Sequence, residues 1–279
     1  MTLTASEFFN GDVHDAVTEA AFFRDLKMRN GTFKRTRADR FAEIEAAFGP
    51  EIRARAEDMR TVLDVAVSSG ITTAEFAEFL DRLGARVALT ATDLFIDGAI
   101  VELAPGLRAL VDPEGWPLQY DVGGHAFRAW VRRLDYATLT APLRHAARAV
   151  CQRRARMLLA SGRAQPTRMV SPRLLARPDI AIATDDILTR NPAFVGAYDL
   201  VRAANILNRS YFAPADLSRG LANVMSYVAP GGLLIVTRTA DDGRNDGTLF
   251  ARGEDERLEV LARVGKGSEV EPDILLLCG

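Results

Sequence analysis

The pattern of apolar and polar residues divides the chain into stretches of different periodicity. Over residues 1–60, apolar side chains recur at helical spacing, and the turn-forming pairs Asn30-Gly31 and Gly49-Pro50 interrupt them. The pattern predicts an N-terminal cap of short helices. Because few polar groups converge in this stretch, we expect the cap to cover one side of a core and not to form a catalytic unit.

At residue 61 the pattern changes to short apolar runs separated by amphipathic helices. A strand buried on both faces is predicted for residues 61–67 (TVLDVAV), a helix for 72–84 (TTAEFAEFLDRLG) and a second strand for 86–93 (RVALTATD). A pair of parallel strands needs a crossover of about this length, so this stretch predicts a β-α-β unit. The sequence therefore favours a doubly wound sheet.

The alternation lapses after this unit and returns near residue 179. An insertion is predicted over residues 95–178, with a small hairpin around Pro113-Glu114-Gly115 and an arginine-rich helix over about 139–161. Strands are then predicted in DIAIATDDIL, AYDLVRAANIL and GGLLIVTRT, and a helix in PADLSRGLANVMSYV. Three β-like runs end the chain, namely GTLFAR, RLEVLARVG and DILLLCG. Their short polar breaks predict antiparallel pairing.

These elements together predict an α/β protein. We expect a doubly wound, mostly parallel, seven-stranded sheet with antiparallel C-terminal strands. The N-terminal helical cap takes residues 1–60, and the core takes residues 61–279. A large insertion over residues 95–178, between strands two and three, is expected to form a substrate or lid subdomain.

Composition and charge mainly exclude classes of function and kinds of site. The net charge of −2 gives no general attraction to nucleic acid or anionic membranes. The start of the chain has no basic, apolar leader, and no apolar run approaches the ~20 residues that span a bilayer. Cys151 and Cys278 lie far apart, and the three histidines have no metal-ligand spacing, so neither a disulfide framework nor a metal is indicated. We expect a cytoplasmic protein.

Residues 62–70, VLDVAVSSG, carry the first motif with chemical content. They resemble the VLDxGxGxG motif of class I S-adenosylmethionine-dependent methyltransferases, with Asp64 at the acidic position and Gly70 at the last small one. Ala66 and Ser68 stand where the usual pattern has glycine. Small residues are needed there because the cofactor approaches the backbone closely. Two interpretations stay open for this segment, a cofactor loop and a structural strand–helix turn.

Acidic residues follow the next two predicted strands. Asp93 lies 23 residues after Gly70, where the family places an acid against the ribose hydroxyls. Asp186, or alternatively Asp185, matches the third strand end, where an acid or amide contacts the adenine amino group. Each acid could instead cap a helix or belong to a solvated turn.

The fourth strand segment, YDLVRAANILNRSYF, is followed by PGGLLIVTRT, in the order and spacing of the family. It loosely resembles the chemotaxis-receptor methyltransferases, with Asn205 at the family's Asn. The resemblance implies that Ala203 and Asn205, with Asn208 and Arg209 after them, line the methyl-bearing side of the cleft. No NPPY-like tetrad follows the strand, which disfavours methylation of bases or glutamine.

The resemblance implies S-adenosylmethionine or S-adenosylhomocysteine as the ligand and in-line methyl transfer to an unidentified acceptor, with no base identified. The implied cofactor residues all lie at or beside strand ends: Asp64, Ala66, Ser68, Ser69, Gly70, Thr72, Thr73, Asp93, Leu94, Asp186, Ile187, Ala203 and Asn205. His125, Asn208 and Arg209 are the substrate candidates. One alternative is a catalytically decayed methyltransferase fold that binds a ligand or a partner. A nicotinamide-dependent dehydrogenase is less favoured, since its turn should read GxGxxG.

The insertion is unusually basic. From Arg128 to Arg177 there are twelve arginines and one acid, Asp135. The arginines could bind an anionic small substrate, an acidic partner or, less favoured, nucleic acid, or they could form a solvated helix face. An apolar stripe on the helix is predicted to dock it: Leu143, Ala147, Val150, Cys151, Met157 and Leu158.

Overall fold

The computed structural model describes residues 3–11, 14–34, 37, 39–240 and 242–277. Its helices are α1 (Ala5–Asn10), α2 (Ala16–Arg24), α3 (Ala42–Arg53), α4 (Ile71–Arg82), α5 (Arg133–Ala137), α6 (Ala141–Ala160), α7 (Pro172–Leu175), α8 (Pro214–Tyr227) and α9 (Glu271–Leu277). Its strands are β1 (Thr61–Val65), β2 (Ala88–Asp93), β3 (Asp97–Ala104), β4 (Leu107–Val111), β5 (Pro117–Val122), β6 (His125–Arg128), β7 (Ala164–Arg168), β8 (Ile180–Thr184), β9 (Tyr198–Ala204), β10 (Val228–Thr239), β11 (Asn245–Arg252) and β12 (Leu258–Val264).

The chain forms two compact units. The first comprises residues 1–38 and 95–173, and the second comprises residues 39–94 and 174–279. The predicted cap over residues 1–60 therefore divides between the two units, because α1 and α2 belong to the first and α3 to the second. The predicted substrate or lid role of the insertion stays a prediction.

The second unit contains a seven-stranded sheet in the order β8-β2-β1-β9-β10-β11-β12. The five strands from β8 to β10 run parallel, whereas β11 and β12 are antiparallel to their neighbours. The insertion separates β2 from β8 in the chain, although these two strands are paired in the sheet. The predicted fold class is thus confirmed.

Strand residues alternate between two helical layers, as expected for a sheet covered on both faces. Leu63 of β1 and Val201 of β9 pack with Leu221 and Val224 of α8 in one continuous apolar cluster. The residues one step along each strand face the other way. Arg202 of β9 lies with the aromatic side chains of α3 and α4.

The first unit contains a five-stranded antiparallel sheet in the order β6-β5-β4-β3-β7. The predicted hairpin at Pro113–Gly115 joins β4 to β5, and the Asp112 N–H donates to the Trp116 carbonyl across it at 3.0 Å. The rest of this sheet was not predicted. The pairing of β3 with β7 joins Val101 to Ala164, and so distant a contact leaves no short-range signal in the sequence.

Helix α6 docks on this sheet by a different stripe from the predicted one. Leu158 and Ala155 are buried and Cys151 is half-buried, whereas Leu143, Val150 and Met157 are exposed. Ala147 is exposed as well, so the predicted docking stripe is wrong for four of its six residues. The reason is that arginines accept positions on the packed side, where Arg148 lies 4.5 Å over the Trp116 ring and donates to His145 Nδ1 at 2.7 Å.

Two further local predictions are corrected. The run DILLLCG, expected as a strand, lies in helix α9 as far as Leu277, and Cys278 is outside the described residues. Acidic Glu271 and Asp273 in its first turn favour the helix dipole, and Ile274 alone of its apolar residues is buried. The Pro230-Gly231-Gly232 turn forms an irregularity inside β10, with Gly231 at φ 75°. Within the described residues, no helix is both long and apolar enough to span a membrane.

Candidate functional site

The loop between β1 and α4 holds three small residues in the left-handed backbone region. Ala66, Ser68 and Gly70 have φ values of 57°, 58° and 73°. Glycine adopts this conformation freely, whereas a residue with a Cβ pays about 1–2 kcal/mol for it. The loop therefore has the backbone of the glycine-rich pattern with glycine at only one of its three positions.

Hydrogen bonds to the end of β2 fix this loop. The Val67 N–H donates to the Thr92 carbonyl at 3.0 Å, and the Ser68 N–H donates to Asp93 Oδ2 at 2.8 Å. A third bond, from the Gly70 N–H to the Val67 carbonyl at 2.9 Å, closes the turn into α4. Asp93 therefore orients the loop in addition to presenting a carboxylate at the sheet edge.

Asp185, directly after β8, is hydrogen-bonded to the backbone of Asp93. Its N–H donates to the Asp93 carbonyl at 3.2 Å, and its Oδ1 accepts from Asn191 Nδ2 at 3.4 Å. Its Oδ2 is buried without a hydrogen bond to any described residue, and burial raises the pKa of the carboxyl. We refer to Ser68, Asp93 and Asp185 as the edge cluster.

The loop after β1 lies where the sheet reverses its strand order, and the edge cluster extends from this loop to the carboxyl ends of β2 and β8. Two parallel strands, β2 and β8, extend from β1 on one side, and β9 and β10 extend on the other. Open α/β sheets bind ligands outside the carboxyl ends of their strands at such a switch point. The cluster follows three of these carboxyl ends, those of β1, β2 and β8.

Asp64 does not join this cluster, although the motif gives it the leading acidic position. Its two oxygens accept from Arg202 Nε at 2.9 Å and Nη2 at 2.6 Å, and the Thr73 hydroxyl donates to it at 2.8 Å. The Arg202 guanidinium lies 4.1 Å over the Phe76 ring, and its Nη1 is 3.9 Å from Glu45 Oε1. We refer to Asp64, Arg202 and Glu45 as the interior cluster.

Glu45 is the titrating member of the interior cluster. Burial raises its pKa to about 7, and the nearby Arg202 opposes that rise. Arg202 Nη1 makes no hydrogen bond with any described residue. The adjacent cavity, bounded by Glu45, Arg202, Phe48 and Phe76, measures about 10 Å³. Such a volume holds a single water, so this cluster serves stability and does not receive a nucleoside.

Asn205 and Asp186 are both used in local turns. The Asn205 Oδ1 accepts from the Thr239 N–H at 2.6 Å, and Asn205 itself has φ 58°. This bond continues the pairing of β9 with β10 beyond the end of β9. The Asp186 Oδ1 accepts from the Leu188 N–H at 3.0 Å. Of the two acids after β8, Asp185 is the one whose buried oxygen accepts no hydrogen bond from a described residue.

The substrate candidates lie in different surroundings. Asn208 is buried and its Oδ1 accepts from the backbone N–H groups of Ser210 and Tyr211, both at 3.1 Å. Arg209 Nη2 lies 2.5 Å from Asp273 Oδ2. His125 begins β6 and belongs to the first unit, not to the unit that holds the edge cluster.

The remaining predicted cofactor residues are mostly buried: Ser69, Thr72, Ile187 and Ala203, with Leu94 exposed. Ser69 Oγ has no hydrogen-bond partner among the described residues. Leu174 packs over the loop, since a Cβ added to Gly70 would lie 2.5 Å from Leu174 Cδ2. Among the described residues, no three His, Cys, Asp or Glu side chains could hold a metal together.

Several solved methyltransferase structures are similar to this chain. The S-adenosylmethionine-bound CalS10, an amino pentose methyltransferase from Micromonospora echinaspora, is 15% identical, with 96% of this chain and 90% of that chain covered and a TM-score of 0.38. The N-methyltransferase NodS from Bradyrhizobium japonicum, in complex with S-adenosylhomocysteine, is 15% identical over 86% and 74% of the two chains, with a TM-score of 0.36. A sarcosine dimethylglycine methyltransferase from Galdieria sulphuraria, so named provisionally, is 12% identical over 71% and 46%, with a TM-score of 0.33.

No family model and no curated protein matches the sequence. The chain spans only 30 to 57% of the length of three of the similar solved structures. The similar structures named above belong to the class that the motifs resemble. Identities and TM-scores this low say nothing specific about cofactor or acceptor, which are therefore argued below from the chain's own residues.

Two structurally important residues, Arg202 and Glu45, were not predicted from the sequence. Arg202 interrupts an otherwise apolar strand, and a buried guanidinium requires a carboxylate partner. That signal is readable in YDLVRAANIL and points to Asp64, its register partner on β1. Glu45 gave no signal, because a glutamate on an amphipathic helix is ordinarily exposed.

Proposed function

We propose that the chain binds S-adenosylmethionine at the carboxyl edge of the large sheet and transfers its methyl group to an acceptor. The observation that carries this proposal is the left-handed backbone of Ala66 and Ser68 beside Gly70. Each of the first two residues costs about 1–2 kcal/mol in that conformation. Backbone strain of this kind persists where the surroundings enforce it, and it concentrates at ligand-binding sites.

The edge cluster fits the nucleoside end of the ligand. A carboxylate such as that of Asp93 can accept hydrogen bonds from both ribose hydroxyls. The buried Oδ2 of Asp185 is an acceptor that needs a donor, which the adenine amino group would supply. The first turn of α4 directs backbone N–H groups toward the loop, as phosphate- and carboxylate-binding helices do.

Other motif positions do not fit the ligand. Asp64 is neutralised by Arg202, and the Asn205 side chain accepts from the backbone N–H of Thr239, the last residue of β10. These two residues are therefore excluded from our cofactor assignment. The nucleoside side is assigned to the edge cluster and the loop, and the methionine side is left to the backbone of residues 66–70.

The chemistry requires little of the protein beyond positioning. When bound, the cofactor supplies an electrophilic methyl group on a sulfonium. The chain has to hold an acceptor O, N, S or C atom in line behind that methyl, and such alignment supplies most of the catalysis. Proton removal needs water or one base, and no residue is assigned to it. An anionic acceptor and a cytoplasmic location remain part of the proposal.

A binding module without catalysis is the second candidate. The observation that favours it is the packing of Leu174 against Gly70, together with the burial of Ser69 and of Thr73 on the first turn of α4. A chain of this kind would keep the fold and bind a nucleoside or a partner without turnover. The dehydrogenase alternative has no such observation.

Calorimetry with S-adenosylhomocysteine, S-adenosylmethionine and NAD tests the proposal. We expect one site for each of the first two ligands and none for NAD. A folded protein that gives neither heat nor a thermal shift with S-adenosylhomocysteine at roughly millimolar concentration would exclude the methyltransferase function. Binding without consumption of S-adenosylmethionine across a panel of acceptors would favour the binding module.

A further inference from the structure

Helix α6 presents an apolar stripe to solvent that neither the fold nor the proposed function explains. The side chains of Leu143, Val150 and Met157 are 73%, 70% and 53% exposed. They are spaced seven residues apart, so they follow one line along the helix, and Ala147 is exposed between them. We refer to Leu143, Ala147, Val150 and Met157 as the α6 seam.

Helix α5 and the turn between α5 and α6 carry three further exposed apolar residues. Leu134, Tyr136 and Leu139 are 68%, 60% and 84% exposed. Single exposed apolar residues are normal on a protein surface, but a contiguous group of this size marks an interaction site.

The charged residues of helix α6 are all of one sign, and among them Arg144 pairs with Asp135 of α5 at 3.4 Å. Helix α6 carries five arginines and no carboxylate. Arg154 Nε and Arg156 Nε donate to the backbone carbonyls of Leu103 at 2.6 Å and Glu114 at 2.8 Å. A carbonyl holds the guanidinium without cancelling its charge. In the described part of the chain, no carboxylate forms an ion pair with Arg153, Arg154 or Arg156.

We propose that the α6 seam binds an acidic amphipathic helix of a partner protein. The heptad-spaced side chains make a narrow seam, with Ala147 between the first two and Arg154 between the last two, and such a seam matches a second helix. A helix that lies on a membrane needs a wider apolar face. A second copy of this chain would bring arginines against arginines, whereas flanking glutamates would pair with them.

A designed peptide tests this proposal on the whole chain. The probe is a fluorescent helix of roughly three heptads with Leu at positions a and d and Glu at e and g. The control peptide has Lys at e and g. We expect the acidic peptide to bind in the micromolar range, with affinity that falls as salt rises, and the basic peptide to bind at least about tenfold more weakly.

Variants of the chain locate the binding surface. The triple change Leu143→Gln, Val150→Gln and Met157→Gln should weaken peptide binding about tenfold or more without lowering the melting temperature, because these side chains are exposed. The matched control changes three exposed leucines elsewhere to Gln, at Leu261, Leu275 and Leu276, and should leave binding unchanged.

Four results would overturn the proposal. They are equal binding of both peptides, acidic-peptide binding that survives the triple change, seam-dependent binding to vesicles of phosphatidylcholine and phosphatidylglycerol in place of the peptide, and seam-dependent dimerisation in sedimentation. None of these readouts depends on S-adenosylmethionine, so failure here and failure of the proposed methyltransferase function are distinguishable.

Discussion

The interior and edge clusters of the large sheet are built from the same kind of residue and differ in what their carboxylates contact. In the interior cluster, Asp64 is buried and receives three hydrogen bonds from Arg202 and Thr73. In the edge cluster, Asp93 accepts a hydrogen bond from a backbone N–H of a strained loop, and a buried oxygen of Asp185 accepts none from any described residue. The first cluster can contribute only to folding, whereas the second can also bind.

The comparison also shows why position in a motif is weak evidence for a role. Asp64 and Asp93 end neighbouring strands and match the same family pattern. Asp64 faces the layer of α3 and α4, where an arginine from β9 compensates it. Asp93 lies at the carboxyl end of β2, beside the loop. Asp64 is in register with Ala91, two residues before Asp93, so both acids lie on the same face of the sheet. What separates them is the position along the strands, since Arg202 compensates Asp64 and a loop N–H contacts Asp93.

Replacing Arg202 with Met should give the largest effect, which is a loss of folding stability. The change leaves Asp64 buried without its cation, which costs about 3–5 kcal/mol, while the double change with Asp64→Asn should recover much of the loss. Urea unfolding measures both. Arg219→Met, which removes an exposed pair with Asp216, is the control and should cost less than about 1 kcal/mol. A single variant as stable as the parent would mean that the buried pair does not stabilise the fold.

Asp93→Ala should instead act on binding. We expect S-adenosylhomocysteine affinity to fall about 10–100-fold, roughly 1.4–3 kcal/mol, as for lost charge-assisted hydrogen bonds to two hydroxyls. Calorimetry on the folded variant measures it, and Asp216→Ala, an exposed acid on α8, is the control. If affinity were unchanged in folded Asp93→Ala, the edge cluster would not be the ribose site.

Glu45 should make stability depend on pH. Its pKa is raised from 4.5 to about 7, so between these values the folded state holds a proton that the unfolded state releases. Stability from this group is therefore present below about pH 4.5 and is lost as pH rises through about 7. Glu45→Gln should be more stable than the parent by about 1–3 kcal/mol near pH 8, with the difference shrinking toward pH 4.5. Glu43→Gln on the same helix is the exposed control, and an equal pH dependence in both variants would contradict this assignment.

Ala66→Gly and Ser68→Gly should give the smallest change in stability. They show whether the strained loop residues also affect ligand binding. Each change removes a Cβ from a left-handed residue and should add about 0.5–1 kcal/mol of stability. Leu139→Gly, at φ 56° in the first unit, should add a similar amount. Only the two loop changes are expected to alter S-adenosylhomocysteine affinity, in the direction of tighter binding. Equal ligand affinity in all three variants would indicate that the loop is a structural turn.

The sequence predicted the large sheet because its strands are short apolar runs joined by well-formed helices. TVLDVAV and RVALTATD each carry the signal of a strand buried on both faces, and a β-α-β unit follows from their spacing. The five-stranded sheet of the insertion could not be predicted in the same way. Its strands pair across a long segment of chain that includes α5 and α6, and half-exposed strands such as β7 carry little apolar pattern.

The candidate site was predictable in its backbone and less so in its side chains. The sequence places small residues at 66, 68 and 70, and all three adopt the left-handed conformation. Which acid remains available was not predictable, because that depends on contacts such as Arg202 with Asp64 and Leu188 with Asp186. The prediction of the docking stripe on α6 was wrong for a related reason. Hydrophobic spacing identifies a face of the helix without identifying what covers that face.

The most direct test of the account follows backbone amide resonances of the whole chain during titration with S-adenosylhomocysteine. If the ligand binds at the carboxyl edge, the largest shifts should fall on the amides of residues 66–70, Asp93 and Asp185, with small shifts at Asp64 and Arg202. Saturable shifts confined to other parts of the chain, or none at all, would contradict the central claim that the strained loop and the edge cluster form the ligand site.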